Sequence, residues 1–391
     1  MKIVDIQCFP LRTNLSRAIG FSQWYYHAKN NFVLKVVCDD GTVGWGECYG
    51  PNLAIAASVE HHFKPLLIGK DPLQNEVLWN FMWRAYCDFN RHGIFMAAIS
   101  GIDIALWDIK GKALDAPVRV LLGGSSEPVP CYATGMYYRD DKPEAEMLAE
   151  LLDEASAYVD AGYTFLKVKV GKNLEFDKEL IAQFRNRFPD TKIAADSNHA
   201  YNYKEALAIG KVLDANDYCW FEEPLSPENY ADMARLRDAL SVPIAAGECE
   251  QTRYGFERFV SARSIDIFQP DIAYCGGITE FQKINALASA AHADVVPHCW
   301  GLKINQAAAA SAISMVPENP GRFERRPLFL EVDQTEHPVR DTIFSTAHEV
   351  IDGKLHFNDL PGLGVEIDES AMEPFVIDPK VKDETSFAVV E

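Results

Sequence analysis

Nine titratable side chains recur along the last two thirds of this chain at nearly even spacing: Lys167, Lys169, Asp196, Glu222, Glu223, Glu248, Asp271, His298 and Glu331. Successive groups lie 23 to 33 residues apart, the extremes being Glu248 to Asp271 and His298 to Glu331. Three carboxylates brought into one confined space repel unless a cation sits between them. An all-oxygen set from Asp196, Glu222 and Glu248 suits a hard ion such as Mg²⁺, one per site. Lys167 and Lys169 lie two apart, so on a strand both ammonium groups leave the same face. Mutual repulsion and a nearby cation would lower their pKa values and leave one amine basic near neutral pH. An acid such as Asp271 beside His298 would fix the imidazole tautomer and raise its basicity. Glu331, if protonated, could share a hydrogen bond with a substrate oxygen.

The chemistry that needs such a set is removal of a proton beside a carboxylate. The conjugate base is a dianionic enolate, so positive charge aimed at the carboxylate oxygens is the main source of acceleration.

These residues need a frame that brings them to one place. Short apolar strands are expected at residues 130–134, 165–170, 192–196, 219–223, 243–248, 265–271, 294–298 and 328–332, separated by amphipathic helical segments. Eight strands alternating with helices, without a glycine-rich dinucleotide loop, predict an α/β fold of the (β/α)8 type. Nearly every strand ends on one of the nine residues, and in such a barrel those ends converge on one mouth. A single acid at a strand end is ordinarily a helix cap; so many in register are not.

The first 125 residues have a different texture. Strands are expected at 3–11, 31–38 and 43–48, with Asp39-Asp40-Gly41-Thr42 as a hairpin turn, then helices at 55–67, 74–86 and 94–114. We therefore expect an α+β unit over 1–125, the barrel over 126–345, and a segment over 346–391 that returns to the first unit, with a hairpin around Asp352-Gly353.

A net charge of −20 disfavours nucleic acid and anionic membranes as partners. No apolar run approaches the roughly 20 residues that cross a bilayer. Asp5 and Gln7 interrupt what would have to be a signal peptide. The nine cysteines, odd in number and without a CxxC pair, fit reduced thiols in the cytoplasm.

Over residues 1–370 the chain resembles the mandelate racemase subgroup of the enolase superfamily. The resemblance rests on Lys-x-Lys at 167–169, Asp-x-Asn at 196–198, Glu-Glu-Pro at 222–224, Gly-Glu at 247–248, Gln-Pro-Asp at 269–271 and Pro-His at 297–298. It implies a modified barrel under an N-terminal α+β capping domain, with Mg²⁺ on Asp196, Glu222 and Glu248. It makes the first glutamate of the pair the ligand, Lys169 the base, and Asp271–His298 the opposing dyad, with Asn198 supporting the metal site. Residues 14–28 and 45–52 would be capping loops that select the substrate, placing Trp24 and Tyr26 beside it together with Trp300. The resemblance also implies a homo-oligomer.

Within the subgroup, Tyr132-Ala133-Thr134-Gly135, Asn198-His199, Tyr274-Cys275-Gly276-Gly277, His298-Cys299-Trp300-Gly301 and Glu331-Val332-Asp333 look like galactarolactone cycloisomerases. Cys249-Glu250-Gln251 and Lys303 depart from that pattern. The expected activity is enolate formation from a sugar acid or its lactone, followed by cycloisomerisation. Acid-sugar dehydration and racemisation use the same residues. A non-catalytic barrel that binds or scaffolds is the reading from a different class.

Overall fold

The computed structural model describes residues 1–89, 91–316 and 328–378, and the backbone of 387–389. The chain opens with an antiparallel sheet of β1 (Ile3–Gly20), β2 (Trp24–Cys38) and β3 (Val43–Cys48). The sequence Gly44-Trp45-Gly46 lets the long helix Ile94–Ala113 lie directly on β3. A Cβ on Gly46 would stand 2.0 Å from the Gly101 carbonyl oxygen. Ile6, Leu34, Val36, Ile102 and Ile109 are almost wholly buried at this contact. Each such side chain contributes about 1.5–3 kcal/mol on leaving water.

Residues 14–28 are not a loop. The β1–β2 ladder runs from Asp5↔Val37 to Asn14↔Ala28, shifts register, and resumes at Ile19↔Tyr26 and Gly20↔Tyr25. The aromatic run Trp24-Tyr25-Tyr26 favours a pleated strand, and pairing satisfies the backbone polar groups that a loop would leave to water. Only Phe21, Ser22 and Gln23 form the turn.

Eight parallel strands follow: β4 (Val129–Thr134), β5 (Phe165–Lys169), β6 (Lys192–Asp196), β7 (Phe221–Glu222), β8 (Ile244–Ala246), β9 (Ile267–Phe268), β10 (Asp294–Val295) and β11 (Leu330–Asp333). Their ladder order is β10-β9-β8-β7-β6-β5-β4-β11. The Cys299 amide, just past β10, donates to Glu331 Oε2 on β11 at 2.9 Å and so links the two ends of the ladder. Several strands are shorter than the apolar runs suggested, so Glu248, Asp271 and His298 sit in the loops just beyond β8, β9 and β10.

Inside the barrel the pleat stacks side chains by height. Phe165 packs with Tyr132, Trp220, Ile267 and Phe329 as an apolar floor. Lys167 and Lys169 follow above it on the same face. The tail hairpin, Glu349–Ile351 with Lys354–His356, extends the barrel sheet by pairing antiparallel with β4 at Leu355↔Val129. Farther on, the Ile377 amide donates to the Pro10 carbonyl at 2.8 Å, and backbone 387–389 pairs with Trp24–Tyr26 on β2. Among the described residues, no helix is long and apolar enough to cross a membrane.

Candidate active site

Strand register aligns the first three groups. Lys169 is paired with Asp196, and Asp196 with Glu222, across β5, β6 and β7. Glu248 joins them from the turn after β8. There Gly247 holds φ at 132°, and a Cβ would lie 2.8 Å from the Phe256 ring. That backbone conformation is open to glycine and strained for other residues. As a result, carboxylate oxygens of Asp196, Glu222 and Glu248 lie within 4.8 Å of one another, all buried.

The donor set fits a hard divalent cation. Asp196 Oδ1 accepts from the Asn198 amide at 3.0 Å, and Glu222 Oε2 accepts from Trp220 Nε1 at 2.8 Å and Gln269 Nε2 at 2.7 Å. Such bonds orient ligating carboxylates from behind. Glu248 Oε2 has no hydrogen-bond partner among the described residues although it is buried. A buried carboxylate oxygen left this way is costly unless a cation meets it.

The two lysines differ. Lys167 is 1% exposed, with Nζ 2.7 Å from Glu222 Oε1 and 2.8 Å from Glu331 Oε1. Lys169 Nζ donates to Asp196 Oδ2 at 2.5 Å and to Asn198 Oδ1 at 2.9 Å, and it reaches a cavity above the barrel mouth. Burial disfavours both ammonium groups, but Glu222 and Glu331 around Lys167, and Asp196 beside Lys169, outweigh it and hold both above the ordinary lysine value. The expectation of a lowered lysine applies with a cation between the carboxylates; both amines are held up by the carboxylates alone. Their negative charge exceeds the mutual repulsion of the two amines.

Glu331 is corrected. Burial favours its neutral form, but Lys167 and His298 prevail and hold it well below the usual carboxylate range. It accepts from Thr134 Oγ1 at 2.5 Å and from the Cys299 amide at 2.9 Å, so it is an acceptor and not a protonated donor.

Across the mouth, His298 Nδ1 lies 2.6 Å from Asp271 Oδ2. Asp271 Oδ1 accepts from the Ala273 amide at 2.7 Å and from Asn305 Nδ2 at 3.1 Å, which fixes the carboxylate. His298 Nε2 stands 3.6 Å from Glu248 Oε2. Burial opposes the imidazolium, yet Glu248, Glu331 and Asp271 push the ring up to about 10.

A cavity of about 270 Å³ sits over these groups, and Lys169, Asn198, Glu248, His298 and Glu331 all line it. Trp24, Tyr26 and Trp300 line it too, with Tyr26 5.4 Å from Trp300 between ring centroids. Trp300 Nε1 is buried without a partner among the described residues, a donor available to an oxygen in the cavity. Phe21, Gln23, Tyr49 and Tyr137 also line it and were not named individually in the sequence reading. Phe21, Gln23 and Tyr49 lie in the 14–28 and 45–52 segments expected to select the substrate; nothing local marks Tyr137.

A model described as "Mandelate racemase / muconate lactonizing enzyme, N-terminal domain" matches residues 9–123, and "Enolase C-terminal domain-like" matches residues 150–371, more than half the chain. The chain belongs to the mandelate racemase subgroup of the enolase superfamily. This superfamily member is an enzyme of the lyase and isomerase kind. It is 37% identical over 377 residues to the D-galactarolactone cycloisomerase of Agrobacterium fabrum, covering 96% of this chain and 99% of that one. It is 36% identical to the arabinonate dehydratase of Saccharolobus solfataricus, covering 89% and 91%. The crystal structure of the 3,6-anhydro-D-galactonate cycloisomerase from Zobellia galactanivorans superposes with a TM-score of 0.87 at 38% identity, covering 97% and 100%. The barrel and capping sheet expected from the sequence agree with these likenesses.

Proposed function

We propose that this enzyme abstracts the proton α to the carboxylate of a sugar acid lactone and opens the ring, a cycloisomerisation that depends on Mg²⁺ held by Asp196, Glu222 and Glu248. The observation that carries this reading is the placement of two proton-transfer groups at the two ends of one carboxylate row. Lys169 sits against Asp196, His298 sits against Glu248, and both face one cavity.

When bound, magnesium would supply positive charge toward the substrate carboxylate, which makes the neighbouring C–H more acidic. With magnesium offsetting the carboxylates beside it, Lys169 would release its proton to solvent and take the α-proton as the free amine. Lys167 adds positive charge from beneath without entering the cavity. Asp271 holds His298 with Nδ1 protonated, so Nε2 faces the substrate and can give or take a proton on the other side. The aromatic wall excludes water, and Trp300 Nε1 is placed to donate to a substrate oxygen.

In a lactone the β-bond that breaks releases the ring oxygen as a carboxylate. That leaving group needs far less acid assistance than hydroxide. The resulting enol takes a proton on carbon and becomes a keto acid of unchanged mass. Dehydration is the second reading, favoured by the likeness to the arabinonate dehydratase and by His298 as a proton donor for hydroxide. Mass spectrometry of the product from an aldarolactone and from the open acid separates the two. Cycloisomerisation predicts conversion of the lactone without mass change; loss of water from the open acid, with the lactone inert, would overturn it.

A further inference from the structure

The three residues that directly follow Asn198, Glu222 and Glu248 form a second cluster. Ligand atoms of His199, Glu223 and Cys249 lie within 4.8 Å of one another. We propose that they form a separate site for a thiolate-seeking divalent cation, of which Zn²⁺ is the type.

Three observations carry this. First, the donor geometry fits. With Zn–N and Zn–O near 2.0–2.1 Å and Zn–S near 2.3 Å, a tetrahedral site has N···S and N···O edges of roughly 3.3–3.6 Å. Cys249 Sγ lies 3.6 Å from His199 Nε2, within that range, and Glu223 Oε2 lies 3.1 Å from the same nitrogen, a little inside it.

Second, the donors are aimed at one another. His199 Nδ1 lies 3.0 Å from the Leu225 carbonyl. A carbonyl only accepts, so Nδ1 carries a hydrogen, the usual support of a ligating histidine, and Nε2 is the nitrogen turned to the cluster. Glu223 is 2% exposed, and its Oε2 finds no hydrogen-bond partner among the described residues.

Third, there is room. A small cavity of about 20 Å³ is lined by His199, Glu223 and Cys249, enough for one water-sized occupant. The backbone is fixed around it: the His199 amide donates to the Glu223 carbonyl at 2.8 Å, and Ser197 Oγ donates to the same oxygen at 2.9 Å. Asn198, His199 and Glu223 all hold positive φ, between 42° and 66°. Conformations of this kind concentrate where a side chain is held for function.

The ligand set differs in kind from the oxygen-only row beside it, and a sulfur ligand selects against Mg²⁺. On binding, the Cys249 thiol releases its proton to solvent and its sulfur bonds the metal. His199 and Cys249 also line the main cavity, so the fourth position opens toward the substrate.

The test is a Co²⁺ titration of the chelator-stripped full-length protein in excess Mg²⁺. Thiolate-to-cobalt charge-transfer absorption in the near ultraviolet is the readout. The Asp196–Glu222–Glu248 row has no sulfur, so the signal reads this cluster whether or not that row binds magnesium. The expected result is a band that saturates at one equivalent, is displaced by Zn²⁺, and is lost in both Cys249→Ser and His199→Gln with unchanged circular dichroism. No band, or a band that survives Cys249→Ser, overturns the proposal.

Discussion

Glu47 on the capping sheet accepts a hydrogen bond from the backbone amide of Asn305, at the start of the helix that follows β10, at 2.9 Å. Its other oxygen accepts from the Leu302 amide at 2.7 Å. The capping domain thus satisfies the N-terminus of a barrel helix. The same Asn305 donates its side-chain amide to Asp271, so the chain of contacts runs from cap to dyad. Burial pushes Glu47 up to about 8 despite these two amides. Glu47→Ala leaves two buried donors unpaired, at about 1–3 kcal/mol each. We expect a lower unfolding midpoint and a kcat reduced by roughly tenfold, the effect typical of a support residue. A variant with parental melting and rate contradicts the link.

A second tie between cap and barrel is ionic. Lys29 on β2 lies 3.0 Å from Asp333 at the end of β11, both nearly buried, and 3.9 Å from the centre of the Trp300 ring. Removing one partner of a buried pair costs about 3–5 kcal/mol. Here Arg340 at 3.3 Å and the Thr335 hydroxyl still serve Asp333. Lys29→Met should therefore lose about 3 kcal/mol in urea unfolding, and adding Asp333→Asn should restore part of it. A double variant less stable than the single one argues against the pair.

Two buried histidines make the protein acid-sensitive. His337 Nδ1 accepts from the Arg340 amide at 3.3 Å, and His348 Nδ1 from the Asn358 amide at 3.2 Å. Burial first, then Lys29 and Arg340, pushes His337 down to about 3; burial and Arg119 push His348 down to about 4. Between those values and the unfolded value of about 6.5, the unfolded chain binds protons that the folded chain refuses. Stability is thus complete above about pH 6.5 and falls as the pH drops, by about 1.4 kcal/mol per unit for each histidine. Urea midpoints at pH 7 and 5 should differ less in His337→Asn than in the parent. An identical difference rules out this source.

Gly247 aims Glu248. Gly247→Ala meets both the φ of 132° and the Phe256 ring. Strain of about 1–3 kcal/mol is expected, with Mg²⁺ affinity falling at least about tenfold by calorimetry. Parental affinity would mean that the turn does not position the ligand.

Much of this was legible in the sequence because period-two strands and evenly spaced charges are local signals. Lys167, Lys169 and Asp196 were placed by alternation and strand-end position, whereas choosing Glu222 over Glu223 took the family resemblance. Glu248, Asp271 and His298 were found by spacing, though they lie beyond their short strands. What escaped detection is non-local. Glu47 is separated from Asn305 by 258 residues, and Lys29 from Asp333 by 304. No residue type announces such a partner. The states of Lys167, Lys169 and Glu331 are hard to read from sequence for a related reason. Each depends on summed neighbouring charge, which a strand-by-strand reading cannot add up. The aromatic segment at 24–26 was placed at the substrate side but mistaken for loop.

The central claim is that Lys169 and His298 transfer protons at a shared substrate. It is tested most directly by following solvent deuterium incorporation and product formation from an aldarolactone by proton NMR in D2O with Mg²⁺. Parent, Lys169→Ala and His298→Asn are compared at matched circular dichroism and magnesium affinity. The parent should convert substrate with deuterium on the carbon that carried the ring oxygen, now the CH2 beside the new ketone, and each variant should lose turnover by about 10²–10⁴-fold. Turnover at parental rates in both variants would contradict the account.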